Sequence, residues 1–361
     1  MSKKILSNIQ GCLMGIMIGD AMGAPCEVMT FQEIAKATNG GIKDFEDLSV
    51  FERRLDKGLR FKVGDTTDDW AFTKALTESL IVKGGYSHMD CARRFVEVYK
   101  SGVVGMGRTT RESLYTVKKF LDVLSGEEKQ KYSNMDRVDL YGTFRRLINR
   151  QNYGNGAGVA MRIAPLAILS SVSGENLDLL YEQLRLNSSI THLNKQASDS
   201  ACLVGCIIHD IFSESLGDIY SNYSYLKSII SEVGNEIEGL LLNWNKNKRT
   251  LLSEMLFVEE KYNDLLALKL KFCMGRSAFS ALSSVAFSVS IFVRNMNKFR
   301  AGILEAVNAG GDTDTTASMV GAMLGAQCGL EGIPKEWRDF NPEFKEAEEL
   351  GEKLYNLAFN K

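Results

Sequence analysis

A chain of 361 residues, 45% hydrophobic and 24% charged, has an ordinary globular composition, long enough for one large domain or two small ones. With 43 Lys and Arg against 45 Asp and Glu, a formal charge of −2 and no basic cluster with interleaved aromatics, a nucleic-acid surface is argued against. The 7 cysteines are scattered without a CxxC pair and read as reduced thiols of a cytoplasmic protein.

The opening stretch, MSKKILSNIQGCLMGIMIGDAMGA, has the outline of a signal peptide: lysines, an apolar run, then small residues. Its apolar run from Cys12 to Gly19 is short, however, and leads straight into Asp20 and Glu27. Gly11, Gly15 and Gly19 recur every four residues and share one helix face, which predicts a buried first helix closely approached by another. No other stretch approaches about 20 uncharged apolar residues, so no membrane span is expected.

Residues 40–65, with a Gly-Gly pair and mixed charge, predict a loop. Residues 69–83 place Ala71, Leu76, Leu80 and Ile81 near a helical period. Helices are also expected over 156–171 and 196–212, the latter holding Cys202 and Cys206 as small core residues rather than metal ligands. Residues 271–293 are apolar and serine-rich with little period, which suits a helix buried on most sides. Segments 121–140 and 213–265 are more polar and read as surface excursions on a single domain spanning 1–361. Nothing shows strand alternation or a βαβ rhythm, and the fold is expected to be helical.

Two clusters of acids stand at predicted helix starts. One is Asp65, Thr66, Thr67, Asp68 and Asp69; the other is Asp312, Thr313, Asp314, Thr315 and Thr316, after a Gly-Gly pair. Helix capping explains one or two such residues per start, since Asp and Thr accept from the first free N–H groups. It leaves the remaining acids unexplained, because crowded carboxylates repel unless something positive sits between them. A hard divalent cation such as magnesium, which takes carboxylate and hydroxyl oxygens, is the second reading. A third segment, YGNGAGVAMRIAPLAIL (153–169), is glycine-rich with Arg162 near an expected helix start. Such turns expose backbone N–H groups to anions; it is neither a Walker loop nor a convincing dinucleotide fingerprint, and a plain loop is the alternative.

Taken together, GCLMGIMIGDAMGAPCE, TDDWAFTKALTESL, GNGAGVAMRIAPLAIL, SITHLNKQASDSACLV and GGDTDTTASMVGAMLGAQCG resemble, in order and across nearly the whole chain, the ADP-ribosylglycohydrolase family. The resemblance implies an all-α, compact multi-helix bundle with a central binuclear metal site holding two Mg2+ ions, or Mn2+. By motif, Thr67, Asp68, Asp69, Asp312, Asp314 and Thr315 would be the metal ligands. Glu27 and Asp314 would be the catalytic carboxylates. Asn155, Gly156, Gly158, Met161 and Arg162 would lie on the substrate loop, with His192 on the TH motif; Arg162 could equally pair a core carboxylate, and His192 could hold the loop. His88 and His209 read as structural.

Two departures bear on the acceptor: Trp70 follows TDD where the family often has a small hydroxyl residue, and the glycine loop is longer than usual. The implied reaction is hydrolysis of the bond between ADP-ribose and an acceptor, an arginine of a modified protein first, or else a small ADP-ribosyl compound. Hydrolysis of a small N-glycoside or nucleotide derivative, and a non-catalytic crystallin-like role, are the alternatives. All six ligand positions carry oxygen-bearing residues, which argues against the last. A monomer is expected.

Overall fold

Gly11, Gly15, Gly19 and Gly23 line one face of helix α1 (Ser2–Gly23) in the computed structural model of the chain, which describes residues 2–51, 61–124, 126–135, 137–148, 154–213, 257–258 and 260–359. They meet, in the same order, the backbone of Gly325, Gly321, Ala317 and Thr313 on helix α9 (Thr313–Cys328), so the two helices run antiparallel. Without side chains between them the backbones touch, an approach that only the absence of a Cβ permits. Thr313 Oγ1 fastens the crossing by donating to the Gly23 carbonyl at 2.8 Å. The predicted buried first helix is thus present. Its span Lys3–Cys26 is long and apolar enough to cross a membrane, yet 72% of that window is buried within this fold.

The antiparallel pair brings the C-terminal end of α1 beside the N-terminal end of α9. Helix α2 (Asp68–Lys83) starts at the same place, capped by Thr67 and ended by Gly84 in the left-handed region (φ 69°). Helix α3 (His88–Ser101) packs on α2 through Phe72 and Phe95, whose rings meet edge-on at 5.1 Å. Helices α4 (Ala164–Val172), α5 (Leu177–Ser189), α6 (Lys195–Phe212) and α7 (Ala281–Arg294) complete the core around α9, with α8 (Phe299–Val307) along its other side. Helix α10 (Lys345–Phe359) closes over α1 and α2. The described residues contain no β-strand, only isolated bridges between Thr30 and Gly310 and between Gly156 and Ser280. The fold is all-α and helices pack on all sides of α9.

Several sequence expectations shift. The single helix over 271–293 is broken: Leu265–Phe272 forms one helix, Gly275 (φ 66°) turns the chain, and Ser280 caps α7. The helix expected over 156–171 begins only at Ala164, with a proline in its first turn, and Arg162 sits before it in a 3-10 turn (Ala160–Arg162). Part of the loop expected over 40–65 is a 3-10 segment, Phe45–Phe51, anchored by buried Phe45, Leu48 and Phe51. Within 121–140, helices span Gly126–Ser133 and start again at Arg137. Most of 213–265 lies outside the described residues. Cys202 and Cys206 are buried on α6, as small core residues.

Candidate active site

Thr67 does the capping at the start of α2, its Oγ1 accepting from the Asp69 N–H at 3.4 Å. Asp68 and Asp69 are therefore not needed as caps, yet both are buried. Asp312 occupies the cap position of α9 and makes no side-chain cap hydrogen bond; its Oδ2 instead accepts from Ser284 Oγ at 2.9 Å. Capping thus leaves most of these acids unexplained. Asp65 stays apart, accepting from the Lys62 N–H at 2.6 Å.

The two acid clusters converge. Thr315 Oγ1 lies 3.4 Å from Asp69 Oδ2 and joins the start of α9 to the start of α2. Carboxylate oxygens of Glu27, Asp312 and Asp314 lie within 4.8 Å of one another. Asp20, near the end of α1, completes the group: it is fully buried and accepts from the Thr67 N–H, Thr67 Oγ1 and the Trp70 N–H. Asp20 was not singled out from the sequence. Its signal was there, a lone acid in a helix whose other charges, Lys3 and Lys4, lie at the far end, and such an acid must be partnered or neutral when buried. Gly105 was missed as well. At φ 95° its backbone runs against Thr67 and Asp68, and a Cβ there would strike Asp68 Oδ1.

Glu27 is held at the rim by a strained backbone. Val28 adopts φ 63°, a region uncommon for β-branched residues. Two hydrogen bonds of 2.8 Å keep it there, Val28 N–H to the Gly311 carbonyl and Gly311 N–H to the Met29 carbonyl. Glu27 is half-buried, whereas the aspartates behind it are enclosed.

Burial, and then the charge of Asp314, push Asp20 up to about 7 and Asp312 up to about 8. The same causes raise Asp68 and Asp69 well above the usual carboxylate range, and burial raises Asp314. Asp69 Oδ1 is sealed from solvent and has no hydrogen-bond partner among the described residues. Five buried carboxylates that repel one another, an orphaned oxygen among them, and a donor set made only of oxygens are what a hard divalent cation fits.

The glycine loop lies against this group. Thr73 Oγ1 donates to the Asp69 carbonyl at 2.8 Å and is 3.4 Å from the Met161 carbonyl, tying the loop to α2. The Asn155 carbonyl accepts from the Ala281 N–H at 2.7 Å, at the start of α7. Gly156 and Gly158 lie under the His192 ring. Asn155 is exposed, whereas Met161, Arg162 and His192 are buried. The Arg162 guanidinium spends its donors inside the protein, on Asn187, Gly158 and Thr191; the core carboxylate weighed as its partner is not among them in the described residues. Trp70 turns away from the acids: its Nε1 donates to Glu346 of α10 at 3.3 Å. His88, pushed down to about 3 by burial, stacks edge-on against Phe144.

The ADP-ribosylglycohydrolase family profile matches residues 1–361. The chain is 26% identical over 370 residues to mouse ADP-ribosylhydrolase ARH3, covering 98% of this chain and 92% of the relative. It is 27% identical over 330 residues to the ADP-ribosyl-[dinitrogen reductase] glycohydrolase of Rhodospirillum rubrum, covering 91% and 87%. A solved structure described as an ADP-ribosylglycohydrolase-related protein complex has the same fold, with a TM-score of 0.62 at 20% identity, covering 99% of this chain and 100% of that one. The chain belongs to the ADP-ribosylglycohydrolase family, a family of glycosyl hydrolases.

Proposed function

We propose that the protein hydrolyses the glycosidic bond joining ADP-ribose to an acceptor, a modified protein side chain with arginine as the first linkage, and that it requires two bound Mg2+ ions, replaceable by Mn2+. The observation that carries this is the buried acid group, five carboxylates and an orphaned Asp69 oxygen gathered where the end of α1 meets the starts of α2 and α9. Family membership supports the reaction type, and the name of the Rhodospirillum rubrum relative supports a protein-borne ADP-ribosyl group. The 7 cysteines, scattered without a CxxC pair, support a reducing compartment such as the cytoplasm.

Thr67, Asp68, Asp69, Asp312, Asp314 and Thr315 would hold the ions. Bound there, they supply Lewis acidity and a fixed orientation for the ribose hydroxyls beside the scissile bond. Glu27, less enclosed than the aspartates, orients and deprotonates the attacking water or protonates the leaving group. Asp314, whose carboxylate lies within 4.8 Å of Glu27 and Asp312, fixes the negative field in which positive charge develops on the ribose. Backbone N–H groups of the loop from Asn155 to Gly158 receive the diphosphate.

The test is release of free ADP-ribose from arginine-linked, serine-linked and nucleic-acid-linked substrates, with Mg2+, with EDTA, and with the Asp312→Ala/Asp314→Ala double variant. Metal-dependent release from the arginine linkage, lost in the variant, is the expected result. Release from a different linkage alone would replace the acceptor, and none from any linkage with metal bound would overturn the reading.

A further inference from the structure

Arg162 is fully enclosed, and its neighbours decide the state of the groups beyond them. Its Nε donates to Asn187 Oδ1 at 3.0 Å, Nη1 to the Gly158 carbonyl at 2.9 Å, and Nη2 to the Asn187 carbonyl at 3.1 Å and Thr191 Oγ1 at 2.9 Å. The guanidinium also lies 4.6 Å over the Phe95 ring. Burial lowers its pKa to about 9, which leaves it charged at neutral pH.

Thr191 Oγ1 stands 2.9 Å from His192 Nδ1. A guanidinium only donates, and a hydroxyl has a single hydrogen to give. Having accepted from Arg162, Thr191 Oγ1 directs that hydrogen at His192 Nδ1, the one acceptor it meets among the described residues. If Nδ1 carried the proton, the Thr191 hydrogen would be stranded at a residue only 1% exposed. Burial, then the positive charge of Arg162, hold the His192 pKa down to about 3, so the ring is neutral and has one N–H. That hydrogen is on Nε2.

Nε2 faces the glycine loop. A Cβ built on Gly158 would lie 3.6 Å from it, and one on Gly156 3.8 Å. Nε2 has no protein hydrogen-bond partner among the described residues, and it is not sealed from solvent.

We propose that Arg162, acting through Thr191, fixes the polarity of His192, so that the imidazole presents an Nε2–H donor to an acceptor oxygen of the ligand held at the glycine loop. The inference rests on that loop being the ligand loop, as proposed above. Arg162 and Thr191 are positioning residues: neither reaches the ligand, and together they leave His192 a donor only. A diphosphate or hydroxyl oxygen is accepted there, and a ligand N–H is turned away.

The test uses the full-length protein with Mg2+. The imidazole 15N and 13C shifts of His192, one of 3 histidines, are assigned by their loss in His192→Gln. Free protein is expected to show Nε2–H, and the Nε2 signal to move when ADP-ribose is added. Thr191→Val should give a mixed tautomer and weaken ADP-ribose binding by about tenfold, the order of one lost hydrogen bond, while Thr191→Ser restores both. An Nδ1–H tautomer or an imidazolium in the wild-type protein would overturn the proposal, whether or not Thr191→Val folds. So would an Nε2 signal that stays still while other site signals report saturation with ADP-ribose. The tautomer is read without turnover, so failure of the hydrolase reading is seen separately.

Discussion

Asp20 and Thr67 are joined by three hydrogen bonds: the Thr67 N–H lies 3.0 and 2.9 Å from the two carboxylate oxygens, and Thr67 Oγ1 donates to Oδ1 at 2.8 Å. A second N–H, that of Trp70, meets Oδ2 at 3.0 Å. One carboxylate on α1 therefore fixes the first turn of α2, and with it the direction in which Asp68 and Asp69 point. Asp20→Asn keeps the shape but offers one acceptor oxygen in place of two. Loss of such an orienting partner costs about 10–100-fold in metal affinity or activity. Titration calorimetry with Mn2+, alongside turnover, checks this, and an unchanged affinity would remove Asp20 from the site's support.

Glu27→Gln separates chemistry from metal binding. Glu27 sits at the rim, half-buried, while the six residues expected to hold metal are buried. Turnover is expected to fall by about 10²–10⁴-fold, the usual contribution of a positioned acid or base, with metal affinity largely kept. Parallel loss of both would make Glu27 a ligand instead.

Protons and metal both stabilise the acid group, protons at low pH and metal at high pH. Asp20 and Asp312 take up protons near 7 and 8 in the fold, against 3.8 ordinarily. Between those values the folded protein binds more protons than the unfolded chain, so metal-free protein loses stability as pH rises from about 4 to 8. Metal replaces those protons, and its affinity rises over the same window. Thermal unfolding in EDTA should give a higher Tm near pH 5.5 than near pH 8, and saturating Mg2+ should raise Tm most at the upper end. A metal-free Tm that climbs between these pH values would contradict the buried repulsion described here.

The crossing of α1 and α9 predicts its own failure. A methyl group on Gly15 or on Gly321 would overlap the other's carbonyl. Because the obstacle is backbone on both sides, relief requires the helices to part. Gly15→Ala should therefore cost at least the 1–3 kcal/mol typical of an overpacked core, with a Tm several degrees lower. Metal affinity should fall too, since both acid-bearing ends ride on this pair. Wild-type stability in the variant would show that the crossing is looser than the structure has it.

What could be read from the sequence is tied to pattern. The Gly11, Gly15 and Gly19 stripe announced a close helix crossing because four-residue spacing maps onto one face. The motifs around Thr67 and Asp312 marked the acid group because capping could not use so many oxygens. Asp20 was passed over because periodicity weighs it as one polar residue in an apolar helix, and only its partners reveal its purpose. The break in residues 271–293 is easy to pass over, since Phe272, Cys273 and Met274 before it and Ala278 and Phe279 after it keep the stretch apolar, and only Gly275 and Arg276 mark it. Position after Asp69 marks Trp70 as bearing on acceptor choice, but its hydrogen bond to Glu346, a residue distant in sequence, is one that no local pattern announces.

The antiparallel pairing of α1 with α9 also sets when the protein becomes able to act. Asp20, Glu27, Asp68 and Asp69 leave the ribosome well before Asp312 and Asp314. At about 5–20 residues per second the interval is on the order of tens of seconds. During it the early carboxylates stand in water without their opposite half, and neither their repulsion nor their grip on a cation has begun. A chain cut short before α9 is thus inert rather than partly active, and competence arrives in a single step when α9 docks on α1.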